Sequence, residues 1–375
     1  MTGAPMQSTL GEFPMKNIRV AIDATCLGRR KTGNETYIRG VLDGFQMIQP
    51  ANLELEVITT PHYAGPRPDS FVWREIPLGH FISRNFWKIP QVLSQSKPQL
   101  YHASFWTKFW DRVPKIVSVH DISFVCIPSG YKRHELLVYR SLIKLAAQKA
   151  ARILTLSEFS KREICERWKI APDKVTVTYL GLDDCFRPSA ERVKTAPSIL
   201  YVGNLHPRKN LIRLLQAFIL LKREKKTDAR LKIVGQKAWL YDDIFETVRK
   251  NKIESDVEFT GYISQDELVR HYQAATVMVY PSVYEGFGLP VLEAMGCGTP
   301  VVSSNTTSIP EVAGDACELV NPESVEEIAA GIWRVISSPE RQAELRHRSL
   351  EQAKKFDWKT TASQILQAYS QTIGQ

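Results

Sequence analysis

A chain of 375 residues is too long for one ordinary hydrophobic core, so two domains are expected. Its 43% hydrophobic and 24% charged residues are those of a soluble globular protein, and no apolar run approaches the roughly 18 residues of a membrane span. The net charge of +9 lies wholly in residues 1–190, the remainder being neutral, so the first half reads either as solvated basic surface or as a face for something anionic.

Residues 1–16 lack a charged start and an apolar run and read as a loose leader. From Ile18 onward, short β-rich runs alternate with helical patterns. The first series of strands is Ile18–Ile22, Leu53–Thr59, Leu100–Ala103, Lys115–Val119, Arg152–Leu156 and Val175–Tyr179. The second is Ile199–Val202, Arg230–Val234, Val257–Phe259, Val277–Tyr280 and Pro300–Ser303. Helical periodicity separates most of them, as in Leu211–Lys222, Gln265–Ala274 and Val325–Ile336. Such alternation implies βαβ units and parallel sheets, and two series imply two doubly wound α/β domains. The boundary is expected in Gly181–Ser198, rich in proline, small and charged residues. A last helix, Trp358–Thr372, follows the second series.

Six cysteines (Cys26, Cys126, Cys165, Cys185, Cys297, Cys317) form no C-x-x-C pair, so zinc and a disulfide framework are not expected, and reduced thiols are. Within "YKRHELLVYRSLIKLAAQKAAR", Tyr131, Leu136, Leu137, Tyr139, Leu142 and Leu145 mix with Lys132, Arg133, Arg140 and Lys144. This is a core-packed helix with a basic face or an interfacial one. Trp87, Trp106 and Trp110 fit core packing, an acceptor site or a membrane surface.

In "YVGNLHPRKNLIRLL" a strand, a loop and an amphipathic helix follow one another, with Asn210 as candidate N-cap. Arg208 and Lys209 thus stand at a helix start. Helix starts attract anions, and cations there oppose the helix dipole unless an anion is bound. In "YPSVYEGFGLPVLEAMGCG", Glu285 precedes a glycine turn, Pro290 suits the first turn of a helix, and Glu293 falls in that turn. The two carboxylates read as a turn carboxylate and a helix-dipole partner, or as ligands for paired hydroxyls. No Asp or His nearby completes a metal set, and no G-x-G-x-x-G follows the first strand.

Together "YVGNLHPRKN", "FTGYISQDEL", "YPSVYEGFGLPVLEAMGCGTPVV" and "DWKTTA" resemble the retaining glycosyltransferases of family 4. The resemblance extends to "SVHDISF", "TLSEFSKREI" and "YLGLDDCFRP", nearly the whole chain from Ile18. It implies the GT-B fold: two Rossmann-like domains facing a central cleft, with the last helix returning to the first domain. The expected division is a leader at 1–16, an acceptor-binding domain at 17–188, a nucleotide-sugar domain at 189–355 and the returning helix at 356–375.

By motif, the resemblance assigns Glu285 and the backbone of Gly286, Phe287, Gly288 and Leu289 to the donor sugar. Glu293 takes the ribose, and Tyr262 and Ile263 frame the base. Lys209 and Arg208 neutralise the diphosphate, beside Gly203 and Asn204. His120 faces the donor sugar, and Gly33 with Asn34 approaches donor or acceptor. Lys209, Arg208, Glu285 and His120 are the expected catalytic set. Asp121, Ser157 and Glu158 read as local caps. Two departures matter: Asn204 stands where relatives often carry arginine, and Glu35 stands where they often carry glycine.

The implied activity is hexose transfer from a nucleoside-diphosphate sugar, GDP-mannose or a UDP-sugar, to a glycan or lipid-linked acceptor in polysaccharide or glycolipid biosynthesis. The nucleotide sugar is a co-substrate, and no cofactor or metal is expected. The alternatives are a sugar phosphorylase, a nucleotide-sugar epimerase or a non-catalytic membrane-associated scaffold. The expected location is cytoplasmic, with peripheral contact at the anionic inner face of a membrane, and no nucleic-acid partner.

Overall fold

The computed structural model describes residues 17–28, 33–107, 113–128, 131, 133–189, 196–236 and 242–374. The expected leader, Trp110 and Lys132 lie outside the described residues, as do the side chains of Arg133 and Leu137.

The first sheet holds seven strands: β1 (Ile18–Asp23), β2 (Leu53–Thr59), β3 (Val72–Glu75), β4 (Leu100–Ser104), β5 (Lys115–Ser118), β6 (Arg152–Thr155) and β7 (Val175–Val177). The second holds six: β8 (Ser198–Val202), β9 (Arg230–Val234), β10 (Val257–Gly261), β11 (Val277–Tyr280), β12 (Val301–Ser304) and β13 (Glu318–Val320). Every pairing is parallel. Parallel sheets are covered on both faces, which is why these strands are rich in Val, Ile and Leu. Every residue of β5, β11 and β12 is buried.

Two strands escape that reading. β3 lies at a sheet edge with most of its residues exposed, and β13 has only three residues. β7 ends at Val177, short of Tyr179, and β12 begins at Val301, after Pro300, which has no N–H to give a ladder.

The strand orders are β3-β2-β1-β4-β5-β6-β7 and β10-β9-β8-β11-β12-β13. In each, chain progression reverses beside the first strand of the series, at β1/β4 and at β8/β11. Crevices open at such switch points, beyond the carboxyl ends of the strands. The loops after β8 and β11 are Gly203–Lys209 and Pro281–Gly288, which carry the two motifs of the second half. The chain passes from one sheet to the other between Val177 and Ser198.

Helix Trp358–Ile373 crosses back and packs along helix Gly33–Ile48 of the first domain. Asp357 starts it, accepting from the Thr360 N–H at 2.9 Å. The approach is close because position 40 has no side chain. A Cβ on Gly40 would stand 2.2 Å from the Trp358 ring. Near its other end, Tyr369 Oη lies 2.7 Å from His102 Nδ1, and His102 Nε2 lies 2.7 Å from Ser118 Oγ. Tyr37 Oη meets the same hydroxyl at 3.0 Å. His102 is fully buried, and burial pushes its imidazole down to about 3, so it is neutral and exchanges hydrogen bonds without a charge. This is the GT-B architecture: two Rossmann-like domains, with the last helix fastened to the first.

Candidate active site

Lys209 and Arg208 do not sit in the first turn of a helix. They lie in a short 3₁₀ turn, Pro207–Lys209, and Asn210 takes a left-handed backbone (φ 62°) before helix Leu211–Lys225 begins. Asn210 makes no side-chain cap. Its Nδ2 donates to Pro281 O at 2.9 Å and to Pro322 O, which ties the turn to the loop after β11. The turn directs both cations at that loop, where the target is Glu285.

Glu285 is 5% exposed and its two oxygens are fully engaged. Oε1 accepts from Lys209 Nζ at 2.6 Å, Ser282 Oγ at 2.5 Å and Tyr280 Oη at 3.0 Å. Oε2 accepts from Arg208 Nη1 at 3.1 Å, and the same nitrogen reaches Tyr284 O at 2.9 Å. Lys209 Nζ also bonds Tyr280 Oη. Burial alone would raise the Glu285 carboxyl, but Lys209 and Arg208 outweigh it and hold it down at about 2. For Lys209, burial and then the Arg208 charge lower the ammonium to about 8 against the pull of Glu285. Burial disfavours the Arg208 charge too, yet Glu285 reverses this and the guanidinium stays ionised. Two cations thus share the carboxylate of Glu285, with the Asp121 charge also acting on both, and they remain ionised at the cleft, where an anion could meet them.

Glu293 is the fifth residue of helix Leu289–Gly296, so it lies in the second turn and is no dipole partner of the first. It is 8% exposed, and its Oε2 accepts from Tyr272 Oη at 2.8 Å. His120, just after β5, packs edge-on against Tyr37 and Phe105, with ring centroids 4.6 and 4.9 Å away. Burial pushes its imidazole down to about 4, and its buried Nε2 has no hydrogen-bond partner among the described residues. Asp121 Oδ1 accepts from the Ser123 N–H at 2.8 Å and from its hydroxyl, which makes it a local cap.

Gly33 and Asn34 open helix Gly33–Ile48. Glu35 does not obstruct that approach. Its carboxylate is buried away from the cleft, accepting from Arg39 Nη2 at 2.6 Å and the Gly28 N–H at 3.3 Å. At Gly286 the two domains come into close contact. A Cβ there would stand 2.7 Å from His120 O and from Asp121 Cβ.

His120, Arg208, Lys209, Glu285 and Glu293 line one cleft of about 520 Å³ between the domains. Every residue that the resemblance assigns to donor or acceptor lines it: Gly33, Asn34, His120, Gly203, Asn204, Arg208, Lys209, Tyr262, Ile263, Glu285, Gly286, Phe287, Gly288, Leu289 and Glu293. Tyr262 stands 60% exposed at the rim. The sequence reading missed Tyr280, Ser282 and Tyr272, whose hydroxyls hold the two carboxylates. Tyr280 and Ser282 belong to "YPS", five and three residues before Glu285; their position just upstream was the available signal. Trp106 is buried against Phe86 (5.2 Å), whereas Trp87 is 63% exposed. Among the described residues, no cluster of His, Cys, Asp or Glu could hold a metal ion, and no helix is long and apolar enough to cross a membrane.

Comparison with known proteins agrees with this geometry. The family model for glycosyl transferases group 1 matches residues 184–356, and that for glycosyltransferase family 4 matches residues 35–185. The chain is 34% identical to O-antigen chain mannosyltransferase B of Escherichia coli over 265 residues, 68% of this chain and 69% of the relative. It is 31% identical to an MMP alpha-(1->4)-mannosyltransferase of Mycolicibacterium hassiacum over 61% of this chain and 56% of that protein. Among solved structures, a sucrose-phosphate synthase from Thermosynechococcus elongatus superposes with a TM-score of 0.77 over 94% of this chain and 98% of its own, at 20% identity. The chain therefore belongs to the group 1, family 4 glycosyltransferases, and it is a glycosyltransferase of the GT-B fold.

Proposed function

We propose that the enzyme transfers a hexose from a nucleoside-diphosphate sugar, GDP-mannose first among candidates, to a glycan or lipid-linked acceptor in polysaccharide biosynthesis, with retention of configuration. The observation that carries this is the pairing of the partly buried Lys209 and Arg208 with the buried carboxylate of Glu285. In such transfers the leaving group is the diphosphate, and the barrier falls when positive charge is already fixed where negative charge develops. Lys209 and Arg208 supply that charge. A bound sugar competes for Glu285, drawing its carboxylate from Lys209 toward sugar hydroxyls and freeing the ammonium for phosphate.

Glu293 takes the ribose hydroxyls, and Tyr262 and Ile263 frame the base. His120 is neutral at pH 7, and its unpaired Nε2 is available to a donor-sugar hydroxyl. A double displacement requires a carboxylate free to attack the anomeric carbon. Glu285, shared between Lys209, Arg208 and the sugar hydroxyls, is poorly suited to that. This favours attack on the face from which the diphosphate departs. The mannosyltransferase names of the two sequence relatives support a mannosyl donor. The basic first half, with Ile82 60% and Trp87 63% exposed, supports peripheral contact with an anionic membrane.

A thermal-shift screen of nucleoside-diphosphate sugars tests the donor. A ligand at 100 times its Kd stabilises the folded state by about 2.7 kcal/mol, so the true donor raises Tm by several degrees. If no nucleotide sugar shifts Tm or is consumed, the donor reading fails. Release of hexose 1-phosphate on adding phosphate would instead favour the phosphorylase alternative.

A further inference from the structure

We infer that Glu311, in the second domain, is a positioning residue that clasps the first domain onto the donor loop, together with the hydroxyls of Ser157 and Ser160. The inference rests on the donor reading above for its kinetic consequence, but its geometry stands apart from it.

Helix Glu158–Trp168 of the first domain begins with Ser157 as N-cap, its Oγ accepting from the Ser160 N–H at 3.0 Å. The next two N–H groups of that helix start are satisfied across the domain boundary. Glu311 Oε1 accepts from the Glu158 N–H at 2.6 Å, and Oε2 accepts from the Phe159 N–H at 3.1 Å. Oε1 also accepts from Tyr179 Oη at 2.8 Å. A carboxylate at a helix N-terminus gains both charge-assisted hydrogen bonds and the helix dipole.

The same helix start grips the donor loop. Ser157 Oγ donates to Gly286 O at 2.7 Å, and Ser160 Oγ reaches that carbonyl at 3.2 Å. Gly286 follows Glu285 and abuts His120 O. Four consecutive residues of the first domain therefore hold two separate points of the second, one beside the cleft and one 25 positions further along the chain. Cap formation accounts for Ser157 and Ser160 within their own helix. It does not account for a carboxylate and a carbonyl supplied by the other domain.

The consequence follows from populations. The donor site draws on both domains, so apparent donor affinity falls by the fraction of molecules in which the domains are together. Nucleotide contacts at Lys209 and Glu293 belong to the second domain alone and do not need the clasp. Opening the clasp must therefore weaken sugar transfer more than nucleotide binding.

The test is Glu311→Ala, with Tyr179→Phe as a milder variant that removes one hydrogen bond and keeps the ring. Small-angle scattering of the free enzyme and nucleoside-diphosphate affinity are measured beside kcat/KM for the donor. The expected result for Glu311→Ala is a larger radius of gyration, a kcat/KM about tenfold lower for losing charge-assisted hydrogen bonds, and a nucleoside-diphosphate Kd within twofold of wild type. Tyr179→Phe should fall between. An unchanged radius of gyration with unchanged kcat/KM overturns the clasp, whatever happens to Tm. An equal loss of nucleotide affinity and transfer overturns it too, as local damage. A wild-type enzyme that binds no nucleoside diphosphate sinks the donor reading and leaves the scattering result to decide the clasp.

Discussion

Lys209 Nζ lies 2.6 Å from Glu285 Oε1, the carboxylate buried and the lysine partly so, at the cleft between the domains. The pair joins what the sequence kept apart: a cation assigned to phosphate and a carboxylate assigned to sugar. Each keeps the other ionised in a place where either alone would be costly.

Removing one partner should therefore cost both activity and stability. Lys209→Ala leaves the buried Glu285 with Arg208 as its one cationic partner, and Glu285→Ala leaves two partly buried cations without their shared carboxylate. Breaking a buried pair from one side costs about 3–5 kcal/mol, and losing one group that stabilises developing charge costs about 10²–10³ in kcat. Urea unfolding and initial rates check this. A Lys209→Ala enzyme with near-normal turnover would remove Lys209 from the account.

The Lys209 ammonium is lowered to about 8 in the free enzyme, by burial first and then by Arg208. Since kcat/KM reports the free enzyme, it should fall on the alkaline side with a midpoint near 8. Lys209→Arg stays charged throughout and should move that fall to higher pH. For stability the sign is opposite. The unfolded lysine, at about 10.4, binds the proton more tightly, so this group's contribution grows as pH rises between the two values. An alkaline limb unchanged in Lys209→Arg assigns the titration elsewhere.

Acid should loosen the first domain before it protonates the carboxylates. His102 and His120 titrate at about 3 and about 4 in the fold, against about 6.5 unfolded. The unfolded state takes up these protons first. Their contribution is complete above about pH 6.5 and is lost as pH falls toward 4, by up to about 1.4 kcal/mol per pH unit for each histidine. Urea midpoints at pH 7 and pH 5 measure it. A substitution such as His120→Phe should flatten the dependence.

Gly286→Ala tests the closeness of the domains. A Cβ 2.7 Å from His120 O must push the loop or the domain aside. Overpacking of this kind costs about 1–3 kcal/mol, and here it acts on the closed form. Donor kcat/KM should fall at least tenfold while Tm changes little. A normal rate would show that the loop has room.

Trp358→Ala should unfasten the returning helix. The ring is 4% exposed and fills the groove left by Gly40. Truncating a buried Trp costs about 3–5 kcal/mol, so the first domain should lose cooperativity in thermal unfolding. A shift under 2 °C contradicts this packing role.

Much of the fold was legible because buried parallel strands write themselves as apolar runs. β3 was not, since an exposed edge strand such as Val72–Glu75 carries no such run. The cleft was legible through residue type and order, in Arg208 and Lys209 after one strand and Glu285 after another. Their contact was not. It depends on the left-handed turn at Asn210, which sequence suggested as an N-cap, and on hydroxyls from Tyr280 and Ser282 that read only as strand end. Glu311 was not singled out, because its partners include N–H groups 152 and 153 positions away.

The most direct test of the central claim is a proton NMR time course of the purified enzyme with donor and acceptor, which reads the anomeric configuration of the first product as it forms. The account predicts that the new linkage keeps the donor's configuration while nucleoside diphosphate appears one for one. A first product of inverted configuration, or hexose 1-phosphate in place of a new glycoside, would contradict it.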